Sequence, residues 1–311
     1  FFAEDGAPVS WEDRQDLRGR AVECAFGRRY RVEGEISMLQ VLCVVPKTIE
    51  GVQEISEISY SVRPSRVFDS GGKRYALMVI NKPPAQFDLA MRFTATLYSG
   101  DLTSVRNGRA VERFERNRSA LRQYLLPEKY VESDNTAIVQ AARELADEDQ
   151  LAAVRKLFSY TNSRLTYDDA MTRTIGAFEA LKGRRGDCSE YASSFVALCR
   201  ARGIPARVAS GYVVDWNDTP LHSWAEVYLD EFGWVQFDPT YADRGRYSFT
   251  NLDSVYLQLT DTQSDSVLGG RIFYSTRYRG TGALRSQSVF ECSEIRNGEK
   301  GQTKRWASPA G

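Results

Sequence analysis

Three side chains in the second half of the chain have the types and the order of a thiol-based catalytic site. Cys188 follows Gly-Asp in the stretch GDCSEYASSFVALCRARGIPARVASGY, residues 186–212. His222, in PLHSWAEVYLD, is the one histidine of the chain, and Asp238 follows it in WVQFDPT. A thiolate can attack a carbonyl carbon while an imidazole holds and returns the proton, so this trio could cleave or form an amide through a thioester.

The residues around Cys188 predict a helix that begins at this cysteine. Asp187 is a favourable N-cap residue, and Gly203 is a favourable stop after the last turn. Cys188 and Cys199 lie eleven residues apart and therefore on one face, so we expect a mostly buried helix. A helix N-terminus favours the thiolate form of a cysteine, and its backbone N–H groups can bind a developing oxyanion.

Three β-rich segments follow this helix: PARVASGYVVDW, HSWAEVYLDE and GWVQFDPTY. The short turns between them predict antiparallel neighbours. His222 begins the second segment and Asp238 ends the third, so strand pairing would let the two side chains face each other. The carboxylate would then fix the tautomer and the orientation of the imidazole.

Each of these residues also has a structural interpretation. A cysteine in a helix is commonly a small buried apolar side chain, which is how we interpret Cys199. A histidine in a strand is often structural, and an aspartate before proline is typical of a turn. The combination favours catalysis, because the single histidine lies between the other two in matching local contexts. One histidine and no Cys-x-x-Cys pair leave too few ligands for a zinc site, so neither a metal nor a cofactor is expected.

Composition and charge exclude several classes of partner. Lys+Arg and Asp+Glu both number 41 in 311 residues, and this balance disfavours binding to nucleic acid or to an anionic membrane surface. The basic stretch RFERNR, residues 113–118, is interpreted as a solvated helix surface. No apolar run approaches the roughly 18 residues of a membrane-spanning helix.

Five cysteines are too few for a disulfide scaffold. Cys24 and Cys43 could form a disulfide with each other, but their spacing alone does not show whether they do.

The hydrophobic pattern divides the chain into three parts and predicts an α+β fold. Residues 1–110 contain short β-branched and aromatic segments between turns, typical of a β-sandwich-like domain. Residues 111–250 contain two amphipathic helices, in SDNTAIVQAARELAD and EDQLAAVRKLFSYTNSRL, before the cysteine helix and the β segments. Residues 251–311 are expected to add strands, with a loose tail from about residue 295.

These motifs resemble the core of the transglutaminase-like superfamily, which has a papain-like thiol fold. The resemblance covers about residues 125–242 and includes the cysteine helix, GIPARV, H-x-W-x-E-V and W-x-x-F-D-P-T. It implies helices packed on an antiparallel sheet, with Cys188 as nucleophile, His222 as general acid and base, and Asp238 as orienting carboxylate. The preceding β-rich region resembles a domain common in bacterial members, which favours the cell envelope, periplasm or a secreted location over the cytoplasm.

The resemblance also suggests which residues near the triad could bind the oxyanion or the substrate. The superfamily commonly places an aromatic donor for the oxyanion upstream of the cysteine, and Tyr167 in RLTYDDA is the matching position; a core tyrosine is the alternative. The loop VVDWNDTPLH, residues 213–222, leads into the histidine and could contact substrate or simply be solvated. The candidate substrate contacts in and just after this loop are Asp215, Trp216, Asp218 and Trp224.

The predicted reaction is attack on a carboxamide of a peptide or protein substrate. Water as the acceptor of the acyl group gives a peptidase or amidase, and a lysine amine gives a transglutaminase. Hydrolysis is the first prediction, because many bacterial relatives resemble peptidases, and acyl transfer is the second. A non-catalytic scaffold whose β domain binds a partner is the alternative of another class. The chain has no EF-hand-type loop, so a calcium requirement is not expected, and the oligomeric state is left open.

Overall fold

A computed structural model describes residues 19–101, 119–243, 249 and 251–309. The basic stretch at 113–118, interpreted above as helix surface, lies outside the described residues. Across the described ranges, no helix has the length and apolar character needed to cross a membrane.

The fold combines five α-helices with antiparallel sheets over these described ranges, which confirms the predicted α+β class. The strands in chain order are β1 Arg20–Glu33, β2 Ile36–Val45, β3 Gln53–Ile55, β4 Ser59–Tyr60, β5 Arg66–Ser70, β6 Lys73–Asn81, β7 Gln86–Leu97, β8 Gly100–Asp101, β9 Thr166–Tyr167, β10 Arg185–Gly186, β11 Ala206–Val213, β12 Leu221–Leu229, β13 Gly233–Phe237, β14 Asn251–Leu252, β15 Tyr256–Thr260, β16 Tyr274–Gly280, β17 Ala283–Arg296, β18 Glu299–Lys300 and β19 Lys304–Ala307. The helices are α1 Thr136–Glu144, α2 Gln150–Arg164, α3 Ala177–Gly183, α4 Cys188–Ala201 and α5 Pro239–Asp243, and a short 3-10 helix covers Arg122–Leu125.

Two antiparallel sheets form a strand-rich sandwich around one core. The first has the order β18-β17-β1-β7-β3, with β19 beside β17 and β4 beside β7, and the second has the order β16-β2-β6-β5. Buried residues alternate along β7, as expected for a strand with one face toward a core. Phe26 of the first sheet and Val41 of the second are fully buried in the same hydrophobic cluster. The two inner faces therefore pack against each other.

The C-terminal strands complete this sandwich. β17 pairs with β1, and β16 pairs with β2. The region from about residue 295, expected to be loose, differs from that expectation because β18 and β19 both pair with β17. The pairs β1–β17 and β2–β16 join strands more than 200 residues apart, so local sequence patterns could not predict them. We therefore propose one β domain built from chain segments on both sides of the core, in place of a separate extension over 251–311.

The remaining part packs helices against a separate antiparallel sheet, with the order β13-β12-β11-β15. Helix α4 lies at its centre, and eleven of its fourteen residues are buried. The predicted helices are confirmed, with Asn135 and Asp149 capping α1 and α2. Gly203 adopts a left-handed conformation with φ of +84° just after α4, which is why glycine ends this helix well.

The other face of this sheet rests on the sandwich. Tyr212 of β11 stacks on Phe290 of β17, with ring centroids 4.1 Å apart. The side chain of Gln53, in β3, forms two hydrogen bonds with the backbone of the edge strand β15. It accepts from the Gln258 N–H at 2.8 Å and donates to the Gln258 carbonyl at 2.9 Å. The sandwich therefore holds β15 in place through both packing and hydrogen bonds.

Close approach of β11 and β15 requires a glycine at position 211. A Cβ on Gly211 would lie 2.0 Å from the Leu257 carbonyl oxygen, a backbone atom that cannot rotate away. We expect Gly211→Ala to lower the free energy of unfolding by about 2 kcal/mol or more, measured by urea denaturation. Gly183→Ala is the matched control, because a Cβ there meets nothing within 4 Å, and it should change stability by less than about 1 kcal/mol. Equal unfolding midpoints for the two variants would contradict the packing argument.

Candidate active site

The N-terminus of α4 is fixed by a capping box that frames Cys188, the first residue of the helix. The Asp187 carboxylate accepts from the Ser189 N–H at 2.7 Å, and the Glu190 carboxylate accepts from the Asp187 N–H at 3.3 Å. Glu190 also accepts from the Ile175 N–H at 3.0 Å. Cys188 itself is partly exposed. The thiol therefore sits at a rigid helix start, where the helix dipole favours negative charge.

Glu190 is a buried carboxyl group next to this thiol. Burial, followed by the neighbouring Asp187 carboxylate, raises the pKa of Glu190 to about 7. Gly186 makes room for it, because a Cβ on Gly186 would lie 2.2 Å from the Glu190 Cβ. The Gly-Asp before the cysteine thus has a steric role at the glycine and a capping role at the aspartate.

His222 and Asp238 meet because β12 and β13 are paired antiparallel neighbours. The His222 Nε2 lies 2.6 Å from the Asp238 Oδ2. Asp238 is the residue before α5, and its Oδ1 accepts from the Thr240 N–H at 2.9 Å and the Tyr241 N–H at 3.2 Å. The Tyr256 hydroxyl of β15 donates to the Asp238 Oδ2 at 2.8 Å. Both carboxylate oxygens are therefore held in position, as a buried charge requires.

Aromatic rings set the plane of the imidazole. The Tyr241 ring stacks on His222 with centroids 4.5 Å apart and an interplanar angle of 12°. Trp224 lies nearly parallel to the imidazole at 6.2 Å. With Nε2 directed at the carboxylate and the ring plane fixed, Nδ1 is the nitrogen left to interact with Cys188.

The electrostatics of His222 favour the imidazolium form. Burial lowers the pKa of His222, but the Asp238 charge, the hydrogen bond to Asp238, and the hydrogen bond and charge of Cys188 together raise it to about 10. This raised pKa favours a ring that carries a proton on each nitrogen. The structure thus brings all three predicted triad residues together, and an imidazolium beside a thiol at a helix start is an arrangement that stabilises a thiolate.

Comparison with known proteins identifies the family of the domain that contains His222 and Cys188. Residues 139–239 match the family model described as the transglutaminase-like superfamily. The chain contains a transglutaminase-like domain. A 120-residue segment is 33% identical to a protein-glutamine gamma-glutamyltransferase of Pseudomonas aeruginosa, covering 32% of this chain and 18% of that protein. An 85-residue segment is 34% identical to the uncharacterized protein YebA of Bacillus subtilis, covering 23% of this chain and 12% of that protein. The chain thus spans less than a fifth of either relative.

A solved structure shares the fold of nearly the whole chain. The crystal structure of "a Putative Cysteine Protease" from Cytophaga hutchinsonii aligns with a TM-score of 0.65 and 17% identity, over 94% of this chain and 98% of that chain. The similarity therefore includes the strand-rich sandwich as well as the transglutaminase-like domain.

Tyr167 lies beside the start of the cysteine helix. It belongs to β9, which runs parallel to β10 and pairs Tyr167 with Gly186, two residues before Cys188. Its ring is partly buried and lies 6.3 Å from the Tyr191 ring. This position is close to where a donor for an oxyanion would be needed, and that role of Tyr167 stays a proposal.

The predicted substrate contacts divide between core and surface. Trp216 is only 7% exposed and packs 5.3 Å from Phe290, and Trp224 is fully buried. Both indoles therefore pack in the hydrophobic core between the sheet and the sandwich, and a substrate contact for either of them stays a proposal. Trp224 lies on the same face of β12 as His222, two residues away, and both faces of this strand are buried, since helices cover one and the sandwich covers the other. Asp218 is exposed and Asp215 partly buried, so a substrate contact for these two stays a proposal.

The sequence analysis did not assign Tyr256 and Glu190 to the site. Tyr256 lies in DSVYLQLTD, which the sequence marks as a strand but does not connect to Asp238. Glu190 had a usable signal, because Asp187 followed by Glu190 has the spacing of a capping box. Within the described ranges, no three His, Cys, Asp or Glu side chains are grouped as a candidate metal site.

The protonation of the single histidine can be measured without assignment ambiguity. In protein without a histidine tag, the imidazole NMR signals of His222 should show a ring still protonated at pH 8 and titrating near pH 10. Asp238→Asn should lower this pKa by several units, because the attractive charge is lost while the burial remains.

Asp218→Asn is the matched control for this titration, since it neutralises an exposed carboxylate four residues before His222. It should leave the His222 titration unchanged. An imidazole that titrates near 6.5 in the unmodified protein, with no response to Asp238→Asn, would rule out the buried ion pair.

Proposed function

We propose that the transglutaminase-like domain is a thiol-dependent enzyme that hydrolyses an amide or peptide bond through a thioester. The main support for this proposal is the buried His222–Asp238 pair, with Nε2 and Oδ2 2.6 Å apart, beside a cysteine at a helix N-terminus. In this proposal Cys188 is the nucleophile, His222 the general acid and base, and Asp238 the orienting carboxylate.

The first half-reaction consumes the proton that His222 holds. The Cys188 thiolate attacks the substrate carbonyl carbon and forms a tetrahedral oxyanion. Collapse of this intermediate breaks the C–N bond, and the imidazolium gives its proton to the leaving amine. The raised pKa of His222 supports this step, since the step needs a protonated ring before bond cleavage. The Cys188 backbone N–H and the Tyr167 hydroxyl are the proposed donors to the oxyanion.

The second half-reaction restores the starting state. The imidazole, now neutral, takes a proton from water as the water oxygen attacks the thioester carbonyl. The C–S bond breaks, the acid product leaves, and the thiolate–imidazolium pair is regenerated. Asp238 keeps the same hydrogen bond in both halves, because its other contacts to Thr240, Tyr241 and Tyr256 fix its position.

Acyl transfer to a lysine amine is the second candidate. It uses the same three residues and differs only in the acceptor. The observation in its favour is the 33% identity of a 120-residue segment to a protein-glutamine gamma-glutamyltransferase. A bacterial envelope or secreted location is also part of the proposal and rests on the resemblance of the domain arrangement.

Selective alkylation of Cys188 tests the assembled triad. We expect iodoacetamide to label Cys188 rapidly and well below pH 8, and His222→Ala to slow the labelling by about tenfold or more, because the stabilising imidazolium is gone. Peptide mass spectrometry locates the label. The buried Cys43 and Cys199 serve as internal controls and should stay unlabelled in folded protein. Labelling of Cys188 only above about pH 8.5, with no response to His222→Ala, would leave the non-catalytic scaffold as the better interpretation.

The acceptor is tested with mixtures of glutamine-containing peptides, with and without an excess of a lysine-containing peptide. Hydrolysis predicts cleaved or deamidated products whose yield is little changed by the amine, measured by mass spectrometry. A dominant cross-linked product would select acyl transfer instead. Cys188→Ser is the control and should lose at least about a hundredfold in rate in either case, because the alcohol is a far weaker nucleophile at neutral pH.

A further inference from the structure

Two of the five cysteines are brought together by the sandwich. Cys24 of β1 and Cys292 of β17 are directly opposite each other in the antiparallel register. Their sulfur atoms lie 3.4 Å apart, with the Cys24 thiol donating to the Cys292 sulfur, across 268 residues of sequence. Cys43, considered above as a partner for Cys24, lies in the other sheet, and its thiol donates to the Ala76 carbonyl at 3.6 Å.

The backbone around this pair suits a covalent bond. Directly opposed residues of an antiparallel pair have Cα atoms about 4.5–5.5 Å apart, inside the usual disulfide range of about 4.4–6.8 Å. Closing the sulfur gap to about 2.05 Å needs a small rotation of the side chains rather than a backbone shift. The register is unbroken from Val22 opposite Glu294 to Glu33 opposite Ala283, so β1 and β17 hold the two cysteines in place.

One of the two cysteines lines a cavity. Cys292 lines a cavity of about 420 Å³ that is also lined by Arg20, Glu294, Lys300 and Lys304. Cys24 is fully buried, whereas Cys292 retains 4% exposure. Burial raises the pKa of the Cys24 thiol, so a thiolate forms there with difficulty. An oxidant entering this cavity therefore meets Cys292 first.

We infer that Cys24 and Cys292 form a disulfide that joins the first strand of the sandwich to its C-terminal strand under oxidising conditions. The oxidant is a low-molecular-weight or protein disulfide. The Cys292 thiolate attacks it, displaces one thiol and forms a mixed disulfide; the Cys24 sulfur then attacks the Cys292 sulfur and displaces the second thiol. The two cysteines lose two protons and two electrons, and the oxidant is reduced to two thiols.

This bond encloses nearly the whole described chain, including the transglutaminase-like domain. It constrains the unfolded state across a very long loop, which is the situation in which a cross-link stabilises most in the chain-entropy description. Cys188 stays outside the pair, at the start of α4, and Cys199 is buried in the same helix. The protein could therefore carry one structural disulfide and one free reactive thiol in the same compartment.

The inference is tested by oxidising the purified protein with glutathione disulfide and digesting it with trypsin without reduction. Residues 21–28 and 286–296 form two tryptic peptides with one cysteine each, AVECAFGR and SQSVFECSEIR. We expect a linked peptide pair that is two hydrogens lighter than the sum of the two. The oxidised protein should melt about 5 °C or more above the reduced protein, and dithiothreitol should reverse the shift.

Two variants separate this bond from other effects of oxidation. Cys292→Ala should abolish both the linked pair and the oxidation-dependent rise in Tm. Cys43→Ala is the matched control, a buried cysteine of the facing sheet, and should keep both. Glutathione adducts without a linked pair, five free thiols after oxidation, or loss of the Tm rise in Cys43→Ala would overturn the inference. Neither cysteine belongs to the proposed triad, so such a failure would leave the proposed function unaffected.

Discussion

The short hydrogen bond between the His222 imidazole and the Asp238 carboxylate sets the requirements for much of the surrounding structure. A buried carboxylate is stable only when its charge is balanced and its oxygens accept hydrogen bonds. Here the imidazolium supplies the charge, two backbone N–H groups at the start of α5 satisfy one oxygen, and the Tyr256 hydroxyl adds to the other. The balance is reciprocal, because the same carboxylate raises the pKa of the buried histidine and so favours its protonated form.

That network connects the strand-rich sandwich to the site. Tyr256 reaches the carboxylate from β15, which is the edge strand of its sheet. An edge strand has one row of unpaired backbone groups, and Gln53 of the sandwich satisfies part of that row at Gln258. On the neighbouring strand, Tyr212 stacks on Phe290 of the sandwich. The sandwich thus acts as a supporting surface for the sheet that positions the histidine and the aspartate.

A different part of the fold, helix α4, positions Cys188 next to the histidine and the aspartate. Helix α4 is almost entirely buried between its sheet and the other helices, so its axis is fixed by packing. Its first turn is fixed separately by the capping box and by the close approach of Gly186 to Glu190. The catalytic role proposed for Cys188 requires this degree of support, since small displacements of a nucleophile cost large factors in rate.

The sequence by itself determined the local features: where α4 begins and ends, the position of Cys188 at its first turn, the strand that carries His222 and the strand that ends just before Asp238. These follow from capping chemistry and hydrophobic period, which act between near neighbours. Only the tertiary structure decided that Tyr256 joins the site, that Trp216 and Trp224 are core residues, that β17 completes the sandwich and that Cys24 faces Cys292. Those outcomes depend on which faces and edges of distant strands bury one another, and the free energy of that burial belongs to the whole assembly of strands rather than to any segment of sequence.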